Sequence, residues 1–97
     1  MKFDDILKRL NELYGEGVKV KQTANRNYYK GVIDLTHTLV DNGKFFKWQS
    51  KTIVFLEKIL DKEDFRLINF KEKVEINYEY CVIEGLGILE SLIEDIN

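Results

Sequence analysis

Residues 73–82 read Lys73-Val74-Glu75-Ile76-Asn77-Tyr78-Glu79-Tyr80-Cys81-Val82, and two structures compete for them. Val74, Ile76, Tyr78, Tyr80 and Val82 alternate with Glu75, Asn77, Glu79 and Cys81, which is the period of a half-buried strand. Paired with residues 65–70 across Lys71-Glu72-Lys73, that strand would close a hairpin over 65–82 and make the fold α+β. The same stretch also opens a helical stripe, because Tyr78, Val82, Leu86, Leu89, Ile93 and Ile96 recur at three- and four-residue steps. From Leu86 onward only the helical period survives. Gly85 and Gly87 each cost about 1 kcal/mol inside a helix relative to alanine. They therefore mark a helix start or a point where another helix comes close.

Upstream, Phe3, Ile6, Leu7, Leu10, Leu13 and Tyr14 define one helical face over 3–14. Asp4 and Asp5 suit the positive end of that helix, and Gly15 and Gly17 are expected to end it. Val18-Lys19-Val20-Lys21 alternates like a short strand, and residues 23–27 read as a loop. Over 28–40, Tyr29, Val32, Leu35 or Thr36, and Leu39 fit a helix, although the β-branched residues there favour extended structure. Helix is the expectation for this stretch. Over 44–61, Phe45, Trp48, Thr52, Phe55, Leu56, Ile59 and Leu60 share a face, and Asp41 or Asn42 can cap the start. Asp64 can cap a short helix carrying Phe65, Ile68 and Phe70. The sequence thus predicts a mainly α fold. Residues 1–97 form one domain, a bundle of four to five helices around Trp48, with the α+β hairpin at 65–82 as the alternative.

Composition narrows the function. The 97 residues are 44% hydrophobic, too many for a disordered chain, and support one modest core. The longest uncharged apolar run, Thr52 to Leu56, is far short of the roughly 20 residues that span a bilayer. Asp4 and Asp5 directly after Met1-Lys2-Phe3 do not suit a secretory leader. A single cysteine closes no internal disulfide, so the expected compartment is the reducing cytoplasm.

Catalytic constellations are nearly absent. His37 and Cys81 are the only residues of their types, and nothing in the sequence joins them as a nucleophile pair. Cys81 beside Val82 and Ile83 reads as a small buried hydrophobe. One histidine and one cysteine do not make the three or four ligands of a zinc site. Asp61, Glu63 and Asp64 cluster where a helix ends and another is capped. Gly85-x-Gly87 lacks the third glycine of a dinucleotide fingerprint and stands beside Glu84, which repels phosphate. The expectation is no cofactor, no metal and no enzyme activity.

Charge is unevenly spread. Residues 16–51 hold seven basic side chains against three acidic ones, whereas residues 61–97 hold ten acidic against four basic. Lys19, Lys21, Lys44, Lys47 and Lys51 are the candidate contacts to a nucleic acid. A pI near 5.4 argues against that use, because nucleic-acid binders are usually strongly basic. In Lys44-Phe45-Phe46-Lys47-Trp48, Phe45 and Trp48 point to one side of a helix and the lysines to the other.

From Gly43 the chain runs Gly43-Lys44-Phe45-Phe46-Lys47-Trp48, then Phe55-Leu56-Glu57-Lys58-Ile59-Leu60, then Asp64 and Phe70. It closes with Gly85-Leu86-Gly87-Ile88-Leu89-Glu90-Ser91-Leu92-Ile93-Glu94-Asp95-Ile96. Over 43–97 this resembles the small helical module at the N-terminus of bacterial abortive-infection and anti-phage defence proteins, where it precedes an effector domain. Leu60-Asp61-x-x-Asp64 departs from the Phe-Gly-x-x-Ser step of that pattern. The resemblance implies helix over most of 73–97 and an assembly or sensing element rather than a catalyst.

The leading functional expectation is a non-catalytic protein-interaction or assembly module, linked by that resemblance to bacterial defence. Its partner is a protein or a second copy, docked on a helix face through Tyr28, Tyr29 and Phe46. The alternative is a small acidic inhibitor, a phage anti-defence or toxin-immunity protein. It would block a basic site with Glu75, Glu79, Glu84, Glu90, Glu94 and Asp95. Nucleic-acid binding through the five lysines comes third, and no membrane partner is expected.

Overall fold

Gly15 and Gly17 do not stop the first helix. In the computed structural model, which describes residues 2–25 and 38–97 together with the backbone of 28–29 and 32–33, helix α1 spans Phe3–Lys21. Its buried row is Leu10, Leu13, Gly17 and Val20, so the apparent strand alternation at 18–21 is the last turn of a helix. Gly17 is a packing glycine. A Cβ there would lie 2.7 Å from Trp48 Cζ2 and 2.6 Å from Leu86 Cδ2. Close approach of two other helices offsets the conformational cost of glycine at this position. Phe3, expected at the head of the buried row, is 74% exposed.

At the described residues of 28–40 the expected helix is replaced by extended backbone. Tyr28–Tyr29 (β1) pairs antiparallel with Val32–Ile33 (β2), Tyr28 opposite Ile33 and Tyr29 opposite Val32. The β-branched residues prevail over the helical spacing. His37 and the side chains of Tyr28 and Tyr29 lie outside the described residues.

Helix α2, Asn42–Ile59, begins as expected, with the Asp41 carboxylate accepting a 2.8 Å hydrogen bond from the Lys44 N–H. Helix α3, Phe65–Lys73, is capped by Asp64, which accepts from the Arg66 N–H. The core face of α3 is Leu67 and Phe70, continued by Val74 at its C-cap, while Phe65 is exposed. Helix α4 runs Glu79–Ile96. The hairpin alternative at 65–82 is therefore excluded, because its first arm lies within α3 and its second turns helical from Glu79, while Tyr78 bridges Leu39 instead.

The alternation at 74–82 fails as a strand because its apolar members do not share an environment. Val74 and Val82 are buried, whereas Ile76 and Tyr80 are about half exposed. Extended backbone survives just before α4, where Tyr78 bridges Leu39. That bridge belongs to a strap. Leu39 also pairs with Asn25, Val40 exchanges backbone and side-chain bonds with Asn77, and the Glu79 N–H donates to the Thr38 carbonyl at 2.8 Å. The strap satisfies a donor that the uncapped start of α4 would otherwise leave open.

Helix α1 packs against α2 and α4, and α3 packs against the same two. Thus α2 and α4 occupy opposite corners of the bundle. Trp48 fills the space between them, edge-to-face with Phe45 and Phe70 at centroid distances of 6.3 and 5.8 Å. Gly85 admits its ring. A Cβ there would meet Trp48 Cη2 at 2.8 Å and Phe70 Cε2 at 3.0 Å. One core joins all four helices. Among the described residues no helix is long and apolar enough to cross a membrane.

Candidate functional site

The helical period puts Lys44, Lys47, Lys51 and Lys58 on one outer row of α2. The row stands at the seam with α1, because Trp48 and Phe55 on the adjoining face are drawn into the core. A groove of about 230 Å³ opens there, lined by Glu16, Lys19, Val20, Lys44, Lys47, Trp48 and Lys51. Farther along the seam, Arg9, Lys51, Val54, Phe55 and Lys58 border a second groove. Folding therefore joins Lys19 to three of the other four expected lysines. Lys21, the last residue of α1, falls outside the lining.

Among the described residues Glu16 is the one acidic residue lining the first groove, 3.2 Å from Lys51. Both side chains are more than one-third exposed, so solvent screens the pair heavily. Lys19, Lys44 and Lys47 are exposed and have no ion-pair partner among the described residues. The seam is a positively charged channel with an apolar floor. Arg9, Val54 and Lys58 were missed in the sequence. The step from Lys51 through Val54 to Lys58 continues the lysine row of α2 and was the available signal.

The acidic candidates do not form one free face. Glu79 is buried at the start of α4 and presents no charge to a partner. Glu84 lies 3.7 Å from Lys73, and Asp95 accepts a 2.6 Å bond from Arg66. Glu75, Glu90 and Glu94 are exposed. Phe46 is 40% exposed, with its ring held against Phe45 at 5.0 Å.

Of Asp61, Glu63 and Asp64, the last has a structural role and the other two are exposed. Asp64 caps α3 and takes two further bonds from the Arg66 guanidinium, at 3.2 and 3.1 Å. Those side-chain bonds, with the backbone bond, hold the Asp64 carboxyl below the ordinary carboxylate range, and Asp64 in turn raises Arg66. No three His, Cys, Asp or Glu side chains among the described residues are grouped to hold a metal. Cys81 is buried at the start of α4. No protein-family model matches the chain, and neither does any curated protein or solved structure.

Proposed function

We propose that this chain is a non-catalytic protein-interaction and assembly module that docks an acidic protein surface in the α1/α2 seam. The observation that carries this reading is the convergence of Lys19, Lys44, Lys47 and Lys51 around a groove floored by Val20 and Trp48. Charges at the rim steer encounter, and the apolar floor supplies area to bury. Phe46 is exposed on α2 but lies outside the groove lining, so it is not part of this docking surface. The resemblance over 43–97 gives the module a setting in bacterial anti-phage defence, and the single cysteine favours the cytoplasm. The acidic-inhibitor reading loses ground because Glu79 is buried and Glu84 and Asp95 are engaged within the chain.

Nucleic-acid binding draws on the same lysines and is the second reading. Fluorescence anisotropy with a poly-glutamate peptide and a single-stranded oligonucleotide separates the two. The expected result is salt-sensitive peptide binding, weakened about tenfold by K44E with K47E, as two charge-assisted contacts are lost. Tighter binding of the oligonucleotide, with a steep salt slope, would overturn the protein reading in favour of nucleic acid. Binding to neither probe would remove both.

A further inference from the structure

We infer that the acidic surface docked in the seam is a second copy of this chain, so that copies associate head to tail. This rests on the reading above and names its partner. Helix α2 carries four lysines against one glutamate, whereas α4 carries five carboxylates and no basic residue. The two helices stand at opposite corners of the bundle, so their outer faces point apart and cannot neutralise each other within one chain.

The outer row of α4 is Tyr80, Ile83, Gly87, Glu90 and Glu94, all exposed. The outer row of α2 is Lys44, Lys47, Lys51, Val54 and Lys58. Each row spans the same number of residues, about 21 Å of helix. Laid antiparallel, the rows match in chemistry as well as length. Glu94 and Glu90 fall over Lys44 and Lys47, Ile83 over Val54, and the Tyr80 ring over Lys58 as a cation–π pair. Gly87 falls opposite Lys51. Nothing lies within 4 Å of where its Cβ would be, so the facing helix can come close there. The contact joins two different faces and is heterologous, so it builds rings or open chains rather than a closed two-fold dimer.

Sedimentation of the full chain across protein concentration tests this. Wild type is expected to rise to about twice its 11.5 kDa mass or more at low salt, and to fall back toward monomer near about 0.5 M salt. K44E with K47E is expected to be monomeric, and so is E90K with E94K, because each variant then meets itself with like charges. Mixed in equal amounts, the two variants are expected to assemble again in alternation, since every junction between one variant and the other pairs opposite charges. That recovery also shows that both variants fold. Wild type that stays monomeric at every concentration, or variants that assemble as wild type does, would overturn self-association. A monomeric wild type that still binds poly-glutamate through Lys44 and Lys47 overturns only the identity of the partner. Loss of both properties also removes the docking seam.

Discussion

The indole Nε1 of Trp48 donates a 2.9 Å hydrogen bond to the backbone carbonyl of Leu13, across the α1/α2 interface. Leu13 stands one helical turn before Gly17, and the missing Cβ of Gly17 lets the indole reach that carbonyl. A carbonyl oxygen has two lone pairs, so it can serve its own helix and the indole together. The buried Trp N–H is satisfied, and the register of α2 on α1 is set by one polar contact in an apolar core.

Gly17→Ala is expected to destabilise the fold by about 1–3 kcal/mol, because the new methyl overlaps a packed indole rather than a mobile chain end. Gly85→Ala should behave similarly against Trp48, Phe70 and Val74. Gly15→Ala and Gly87→Ala enter open space and should stabilise by up to about 1 kcal/mol. Urea unfolding of the four variants checks the contrast. A uniform response would contradict the assigned close approaches.

Trp48→Phe should cost about 2 kcal/mol, combining a partial cavity with loss of the bond to Leu13. Trp48 is the single tryptophan and is 1% exposed, so native emission should lie well to the blue and shift red on unfolding. Emission at the wavelength of solvated indole in the native state would contradict the core position.

Asp64 should give the fold an acid-sensitive contribution. Its carboxyl is held below the ordinary value of 3.8 by Arg66, so folding favours the ionised form. The stabilisation is complete above that value and is lost as pH falls through the lower folded value. Wild type should therefore lose more Tm between neutral pH and about pH 3 than Asp64→Asn, which keeps a capping oxygen but no charge. Equal losses would show that the Asp64–Arg66 contact carries no linkage.

Cys81 is 3% exposed, so its thiol should resist alkylating and disulfide reagents in the native protein. Labelling should follow the opening of the start of α4 and become fast in urea. Rapid native labelling would mean that this turn is open in solution.

Periodicity and capping residues made α2, the start of α1 and the later part of α4 legible. The α2 face from Phe45 to Leu56, its Asp41 cap, the Asp64 cap of α3 and the central place of Trp48 were all legible, because burial on one side of a helix repeats every three to four residues. Lys44, Lys47 and Lys51 were likewise legible as one outer row. Local signals failed where a distant neighbour decides the local structure. Gly17 resembles a helix breaker until Trp48 occupies the space that a Cβ would fill, whereas for Gly85 the close approach was one of the two readings the sequence left open. The alternation at 74–82 resembles a strand until Val74, Cys81 and Val82 find the core and leave Ile76 and Tyr80 outside. Tertiary structure also decided the site. Lys19 meets the α2 lysines, and acidic α4 stands away from basic α2, because a shared core fixes which helices are neighbours. No sequence period encodes that choice.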